Sequence, residues 1–320
     1  MPVPELPEVQ TTVNGINRSL RGLKIVDVWT DYPVRSYDHL QWSTSNGAGT
    51  RQIKNRHFFD YFKKQVVGKK IVGATRRAKN VLIHLSNGKT VLVHMKMTGH
   101  LLFGKYRKVK LKVKSGKLKD RWIAREAGPL RDDSYNQFIH LVFTLSNDKH
   151  LALSDVRKFA KVTVLPTQDS EKELGKLGPE PLEKNFTARV LAERLKKKPN
   201  GKIKQVLMDQ SIISGIGNIY SDEILWAAGV HPLRKIKTLS KKEVELIWKN
   251  IKTILKKGID FRGDSLSDYR NLNGRRGGFQ YHHRAYQQTG KPCSWPGCKG
   301  TIQRIVLGGR SAHFCPAHQK

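Results

Sequence analysis

The stretch Val81-Leu82-Ile83-His84-Leu85-Ser86-Asn87-Gly88-Lys89-Thr90-Val91-Leu92-Val93 decides the fold of the N-terminal half. It is an apolar run, a tight turn holding Asn87 and Gly88, and a second apolar run. Asn-Gly accepts the positive φ that short hairpin turns need, so the stretch predicts a β-hairpin. His140-Leu141-Val142-Phe143-Thr144-Leu145-Ser146-Asn147-Asp148-Lys149-His150-Leu151-Ala152-Leu153 repeats the design. Residues 24–165 are mostly strand-like around these two hairpins, which predicts a β-sandwich with one or two helices. Ahead of it, Val9, Val13, Ile16 and Leu20 fall on one side of a helix over residues 8–20. Within the strand-like region, Lys108, Lys110, Lys112 and Lys114 alternate with Val109, Leu111 and Val113. That period of two fits a strand with one cationic face. The remainder of residues 105–133 reads as an inserted, mobile, solvated loop.

Beyond residue 171 the period changes. Residues 188–195, 204–210, 219–228 and 239–257 read as helices, the last with Ser240 as N-cap. Residues 262–288 are rich in Gly, Asn and Arg and lack a period, which predicts a long functional loop. The fold class is therefore α+β and multidomain: a β-sandwich with flanking helices over residues 1–165, a helical domain over 171–288, and a small Cys-containing module over 289–320.

Charge narrows the function. Sixty Lys and Arg against 26 Asp and Glu give the 320-residue chain a net charge of +34. A chain this basic is expected to meet a polyanion, nucleic acid above all. No apolar run is long enough for a membrane span. The start of the chain lacks a basic region followed by an apolar stretch, so a cytoplasmic protein without a secretory signal is expected.

Three constellations carry chemistry. The three cysteines are clustered: Cys293-Ser294-Trp295-Pro296-Gly297-Cys298, then Cys315-Pro316-Ala317-His318. Two ligand pairs on facing turns can close a tetrahedral site around one structural Zn2+. His318 is the expected fourth ligand and His313 the local alternative. Gly308-Gly309 fits a hairpin turn between the two knuckles. Next, Ser214-Gly215-Ile216-Gly217-Asn218-Ile219-Tyr220 lies between two helical stretches. Its glycines let backbone amides approach a phosphate at a helix N-terminus, although a plain tight turn gives the same pattern. Finally, the chain opens Pro4-Glu5-Leu6-Pro7-Glu8-Val9. A proline with a free α-amine, of pKa roughly 8, has a neutral fraction that can attack a sugar C1′ and form an iminium. Glu5 and Glu8 stand beside it as candidate acid, base or electrostatic stabiliser.

In order along the chain, Pro4-Glu5-Leu6-Pro7-Glu8-Val9, Arg76-Arg77-Ala78-Lys79, His94-Met95-Lys96-Met97-Thr98-Gly99, Asp155-Val156-Arg157-Lys158-Phe159, Leu177-Gly178-Pro179-Glu180-Pro181-Leu182, Gly215-Ile216-Gly217-Asn218-Ile219-Tyr220 and the cysteine module resemble formamidopyrimidine-DNA glycosylases. The resemblance covers nearly the whole chain. Leu6 and the Arg157/Phe159 pair favour this branch over the similar endonuclease VIII-like enzymes for oxidised pyrimidines. It implies a helix–two-turns–helix DNA-binding domain, a C-terminal zinc finger, and a monomeric enzyme of base-excision repair. Such an enzyme removes 8-oxoguanine and formamidopyrimidines from double-stranded DNA and cleaves abasic sites by β,δ-elimination.

The resemblance also implies roles. Pro4 is the nucleophile and Glu5 the acid or proton shuttle. Lys79 contacts phosphate and assists elimination, and Arg310 clamps phosphate at the lesion. Met97, Arg157 and Phe159 form the wedge that fills the space of a flipped base. Lys204 and Asn218 grip phosphates; His140, Lys158 and Lys198 are counted with the DNA-contacting residues. Residues 262–280 cap the everted base and are expected to move without DNA. The insertion has no counterpart in the short family form, and a role beside the DNA is one reading of it.

This sequence departs from the family in two ways that matter. The first knuckle is Cys-x4-Cys and the module's last ligand is His. Met1-Pro2-Val3 also precedes Pro4, so a chain trimmed once begins at Pro2; the Pro4 nitrogen is then a tertiary amide, and Pro2 is the alternative nucleophile, its amine displaced by two residues. Initiation at Val3, read as Met, followed by trimming exposes Pro4. A catalytically blocked damaged-DNA-binding protein and an oxidised-pyrimidine glycosylase are the competing readings.

Overall fold

A computed structural model describes residues 3–32, 52–112, 118–266 and 268–320. Pro2, and Val113 and Lys114 of the expected cationic strand, lie outside the described residues.

The N-terminal half is two antiparallel four-stranded sheets packed face to face. Its strands are β1 (Ile25–Thr30), β2 (Ile71–Arg77), β3 (Asn80–Leu85), β4 (Lys89–His94), β5 (Gly99–Gly104), β8 (Ile139–Leu145), β9 (His150–Asp155) and β10 (Lys161–Pro166). One sheet has the order β1-β8-β9-β5 and the other β10-β4-β3-β2. The two hairpins read from sequence are β3–β4 and β8–β9, one in each sheet. In the first, Val81 pairs with Val93 and Ile83 with Val91. These four side chains are buried together with Leu141, Phe143, Leu151 and Leu153 from the other sheet.

Two helices close this core. α1 (Leu6–Ser19) begins two residues before the expected start, because Glu5 is already its N-cap and Pro7 is tolerated in a first turn. Val9, Val13 and Ile16 face the sandwich core. Leu6, at the start of the helix, belongs to the helical core instead. α1 therefore ties the two halves together. α2 (Arg56–Val66) falls where strand was expected. Asn55 caps it by accepting from the Phe58 N–H, and Phe58, Phe62 and Val66 repeat at helical spacing into the core.

The insertion is not a free loop. β6 (Tyr106–Lys112) pairs with β7 (Leu118–Ala124) as a two-stranded ribbon. Its base is pinned by Tyr106 and Trp122, which pack with Trp29, Leu102 and Val142. The ribbon is followed by a short helix α3 (Pro129–Asp132) and a 3-10 turn over Ser134–Gln137.

After the short helix α4 (Ser170–Glu173), the second core is built by α5 (Ala188–Leu195), α6 (Ile203–Met208), α7 (Asn218–Ala228) and α8 (Lys241–Asp260). Ser240 does cap α8. Its hydroxyl accepts from the Glu243 N–H, and the Glu243 carboxylate accepts from the Ser240 N–H. Toward the C-terminus the hairpin of β11 (Gln303–Leu307) and β12 (Arg310–Phe314) stands beside the cysteine turns. Gly308 and Gly309, at φ 57° and 72°, make its turn. No helix among the described residues is long and apolar enough to cross a membrane.

Candidate active site

The N-terminal segment runs between the two halves. The Leu6 N–H donates to the Gly215 carbonyl at 3.0 Å. The carboxylate of Glu5, only 1% exposed, accepts from the N–H groups of Gly217 and Ile219, the latter at 2.9 Å. The glycines at 215 and 217 are required by this approach: a Cβ at 215 would lie 2.7 Å from the Leu6 side chain, and one at 217 would lie 2.5 Å from the Glu5 carboxyl. The sequence pattern pointed these amides at a phosphate. They face an internal carboxylate instead, which takes the favourable end of the α7 dipole. Burial nevertheless pushes the Glu5 carboxyl above the usual range. The charge of Lys79 and the N–H groups of Ile219, Gly217 and Tyr220 only partly oppose it.

Glu8, one helical turn on, is also buried. Its Oε2 accepts from the Glu5 N–H at 2.8 Å, and its Oε1 accepts from the Tyr220 hydroxyl at 2.8 Å and the Asp264 N–H at 2.7 Å. Burial and the neighbouring Glu5 push its carboxyl up to about 8.

Lys79 sits in the tight turn between β2 and β3, where Ala78 takes φ 53°. Two arginines hold this turn against the helical half. Arg76 pairs with Glu180 at 2.5 Å and Arg77 at 3.0 Å, while Arg77 also donates to the carbonyls of Leu177 and Gly178. Burial lowers the Lys79 ammonium pKa; nearby Arg310 adds to that, and Glu5 opposes it.

Glu5, Lys79, Asn218 and Arg310 line one cavity of about 730 Å³, together with Val3, His94 and Met97. Pro4 is buried behind Val3, its nitrogen acylated by that residue. Sequence reasoning missed His94. Its Nδ1 accepts from the Lys96 N–H at 3.0 Å, and burial, aided by Lys96, Lys79 and Lys161, pushes it down to about 3. Its environment thus favours the neutral imidazole at the cavity wall.

Lys204 lines the same cavity, but its ammonium is committed. It donates to Asp222 Oδ1 at 2.5 Å and to the Ser311 carbonyl at 2.9 Å, and the residue is 1% exposed. Asp222 Oδ2 accepts from both the N–H and the Nδ1 of His313, at 3.0 and 2.9 Å. Lys204 and Asp222 thus clasp the β11–β12 hairpin, and with it Arg310, to α6 and α7. Lys198, half exposed in the turn after α5, pairs with Asp209 at the cavity wall.

Met97, Arg157 and Phe159 come from two loops and meet. Arg157 lies over the Phe159 ring, 4.4 Å from its centroid, and its Nη1 is 3.1 Å from the Met97 sulfur. Buried Asp155 organises both loops, accepting from the Thr98 hydroxyl and from the Ala160 N–H at 2.7 Å. Thr98 in turn accepts from the Arg157 N–H at 3.1 Å. His140 and Lys158 are not in this group. Both bind Asp31, at 2.7 and 3.5 Å, in a second cleft.

The segment expected to cap a flipped base is packed, not free, among the described residues. Leu272 is in the sandwich core, Arg270 pairs with Asp133 at 2.6 Å, and Asn136 donates to the Gly274 carbonyl at 3.0 Å. The end of the insertion thus holds the capping segment. Asp264 is joined to His283 at 2.6 Å in a pair that is almost fully buried.

Cys293, Cys298, Cys315 and His318 bring four ligand atoms within 4.8 Å of one another and could hold a metal ion. The donor set fits zinc. Thiolates about 2.3 Å from a tetrahedral ion stand about 3.8 Å apart, and Cys298 Sγ is 3.6 Å from Cys315 Sγ. His318 Nε2 bonds the Trp226 carbonyl at 3.1 Å, leaving Nδ1 to face the sulfurs, 3.3 Å from Cys293 Sγ. His313, the local alternative, lies outside this cluster, its Nδ1 bonded to Asp222.

Comparison with known proteins identifies the family. The family profile of the formamidopyrimidine-DNA glycosylase N-terminal domain matches residues 3–162, and that of the same family's H2TH domain matches residues 177–270. Among curated relatives, the formamidopyrimidine-DNA glycosylase of Herpetosiphon aurantiacus is 35% identical over 99% of this chain and 100% of its own. That of Pelotomaculum thermopropionicum is 34% identical over 99% of both chains. Among solved structures, Lactococcus lactis Fpg with abasic-site DNA superposes with a TM-score of 0.78 at 29% identity, covering 99% of both chains. The same enzyme with Fapy-dG DNA gives 0.77 at 29% identity, covering 99% of this chain and 100% of that one. This chain belongs to the formamidopyrimidine-DNA glycosylase family, with that family's N-terminal domain, H2TH domain and a C-terminal Cys/His cluster.

Proposed function

We propose that this chain is a bifunctional DNA glycosylase and abasic-site lyase that excises 8-oxoguanine and formamidopyrimidines from double-stranded DNA. The observation that carries the reading is the convergence of the N-terminal segment, Glu5, Lys79 and Arg310 on one cavity. The wedge of Met97, Arg157 and Phe159 stands at its side of the sandwich. A base must leave the stack before its glycosidic carbon can be reached, and the wedge offers surfaces that replace the lost stacking.

In this reading the nitrogen of Pro4, freed of Val3, bonds to C1′ of the lesion nucleotide. The glycosidic bond breaks, its electron pair leaving with the base, which takes up a proton. Glu5 suits that transfer, since burial raises its hold on a proton. The nitrogen gives up its own proton and the C1′–O4′ bond breaks, its electron pair and a proton going to O4′. The C1′=N iminium so formed acidifies C2′, where loss of a proton expels the 3′ phosphate, and a second elimination, with loss of a proton from C4′, expels the 5′ phosphate. Lys79 and Arg310 provide charge for the departing phosphates. A zinc ion held by Cys293, Cys298, Cys315 and His318 would serve structurally, steadying the hairpin that carries Arg310.

Val3 in the cavity supports a second reading: a chain that keeps residues ahead of Pro4 binds lesions without cutting. Borohydride trapping separates the two. Chains beginning at Pro4 and chains retaining Val3 are incubated with duplexes holding 8-oxoguanine, formamidopyrimidine or thymine glycol. The enzyme reading expects a covalent adduct only from the Pro4 chain, strongest with the oxidised purines. No adduct from that chain, alongside tight lesion binding, leaves the binding protein. A preference for thymine glycol favours the oxidised-pyrimidine branch.

A further inference from the structure

The β6–β7 ribbon is unused by the chemistry above. β6 carries Arg107, Lys108, Lys110 and Lys112, and β7 carries Lys119 and Arg121, against one carboxylate, Asp120. Of these cations, Lys108 pairs with Asp120, at 3.2 Å. The ribbon is anchored at its base. Trp122 meets Trp29 at 5.9 Å and His150 at 5.0 Å between ring centroids, and Tyr106 meets His150 at 6.1 Å. From this anchored base, Arg107, Lys119 and Arg121 share one face of the ribbon by register and Lys108, Lys110 and Lys112 the other.

The ribbon's position matters as much as its charge. A cleft of about 650 Å³ separates β7 from the sandwich, with Lys119 and Arg121 on one wall and His140, Val156 and Lys158 on the other. Val156 and Lys158 flank Arg157 of the wedge in the chain. The cleft, and the ribbon wall that closes it, therefore adjoin the loop that carries the wedge. Asp31, the acidic group on the sandwich wall, is already bound by His140 and Lys158.

We propose that the ribbon is a second duplex-binding arm, gripping backbone phosphates of the DNA that flanks the wedge. This rests on the proposed DNA-repair reading. Phosphate contacts of this kind add affinity without reading sequence, and they lengthen the footprint.

The test uses the full chain and a triple variant, Lys110→Glu with Lys112→Glu and Lys119→Glu. Two duplexes carry the same central abasic analogue: a short one ending at the wedge's flanks, and a long one extending under the ribbon. Binding is followed by fluorescence anisotropy against salt. The parent gains affinity on the long duplex. The variant forfeits that gain, on the order of tenfold, and its log K against log salt slope falls by about 0.9 for each phosphate it no longer neutralises. Its affinity for the short duplex stays near the parent's. The corresponding Lys→Gln triple, which changes charge less, moves the same way by less. Equal weakening on both duplexes, or no weakening on the long one, overturns the proposal. A parent that shows no preference for lesion over intact DNA overturns the repair reading instead, while the length comparison still judges the ribbon.

Discussion

The Glu5 carboxylate accepts from the Ile219 N–H at 2.9 Å, across 214 residues of sequence. That bond makes the first residues of the chain and the first turn of α7 one structural unit. The group proposed as acid is therefore also the cap of the helix that carries Asn218 into the cavity.

Glu5→Gln should separate the two roles. The amide keeps one acceptor oxygen and turns an NH2 toward an N–H that needs an acceptor. An unsatisfied buried group costs about 1–3 kcal/mol, so thermal unfolding should shift downward. Excision should fall further, by on the order of 10²- to 10⁴-fold, as loss of a general acid implies. Single-turnover release of 8-oxoguanine well below the unfolding temperature checks this. Release at the parent's rate there would remove Glu5 from the chemistry and leave it a cap.

Glu8 gives a pH signature in stability. Its carboxyl is raised from an ordinary 4.5 to about 8 in the folded chain, chiefly by burial. The folded state then holds a proton that the unfolded state has lost between those values. The stabilisation is full below about 4.5, falls as pH rises, and is gone above about 8, at up to roughly 1.4 kcal/mol per pH unit. Glu8→Gln should flatten the profile in that window. Urea unfolding across this pH range reads it; parallel profiles for parent and variant would mean that Glu8 is ionised when folded.

Phe159 is 47% exposed, with Arg157 lying over its ring. Phe159→Ala should change folding stability by no more than about 0.5 kcal/mol, as for other surface positions. Binding to lesion DNA should weaken by about 1–3 kcal/mol, the usual worth of a base–aromatic stack. Denaturation and anisotropy measured on the same preparation decide it. A large loss of stability with unchanged binding would assign Phe159 to packing.

These cases show where the sequence was legible. The hairpins of β3–β4 and β8–β9 announce themselves because local period and turn chemistry agree. The Ser240 cap and the Gly308-Gly309 turn are local in the same sense. α2 was hidden because Phe58, Phe59, Tyr61, Phe62 and Val66 all favour strands, and only their i, i+4 spacing against the core makes a helix. The ribbon was half legible: β6 alternates, but β7 declares itself only by pairing with it. The commitments of Lys204 to Asp222, and of Gly217 and Ile219 to Glu5, join residues far apart in the chain. No short window on the sequence contains both partners, so a lysine and a glycine turn there read as free for phosphate.

The cysteine module allows the most direct contrast. His313 and His318 lie close together in the chain, and either satisfies the ligand spacing. His318 Nδ1 faces Cys293, while His313 Nδ1 is held by Asp222. Cys298→Ala and His318→Ala should each lower bound zinc, measured by metal analysis of purified protein, and weaken DNA binding by loosening the hairpin that bears Arg310. His313→Ala should keep its zinc yet still weaken DNA binding, because Asp222 then holds β12 through the backbone N–H alone. The remaining Lys204–Asp222 pair is buried, so the variant should also unfold more easily, by about 1–3 kcal/mol for the lost hydrogen bond to a buried carboxylate. Zinc lost from His313→Ala and retained by His318→Ala would reverse the ligand assignment.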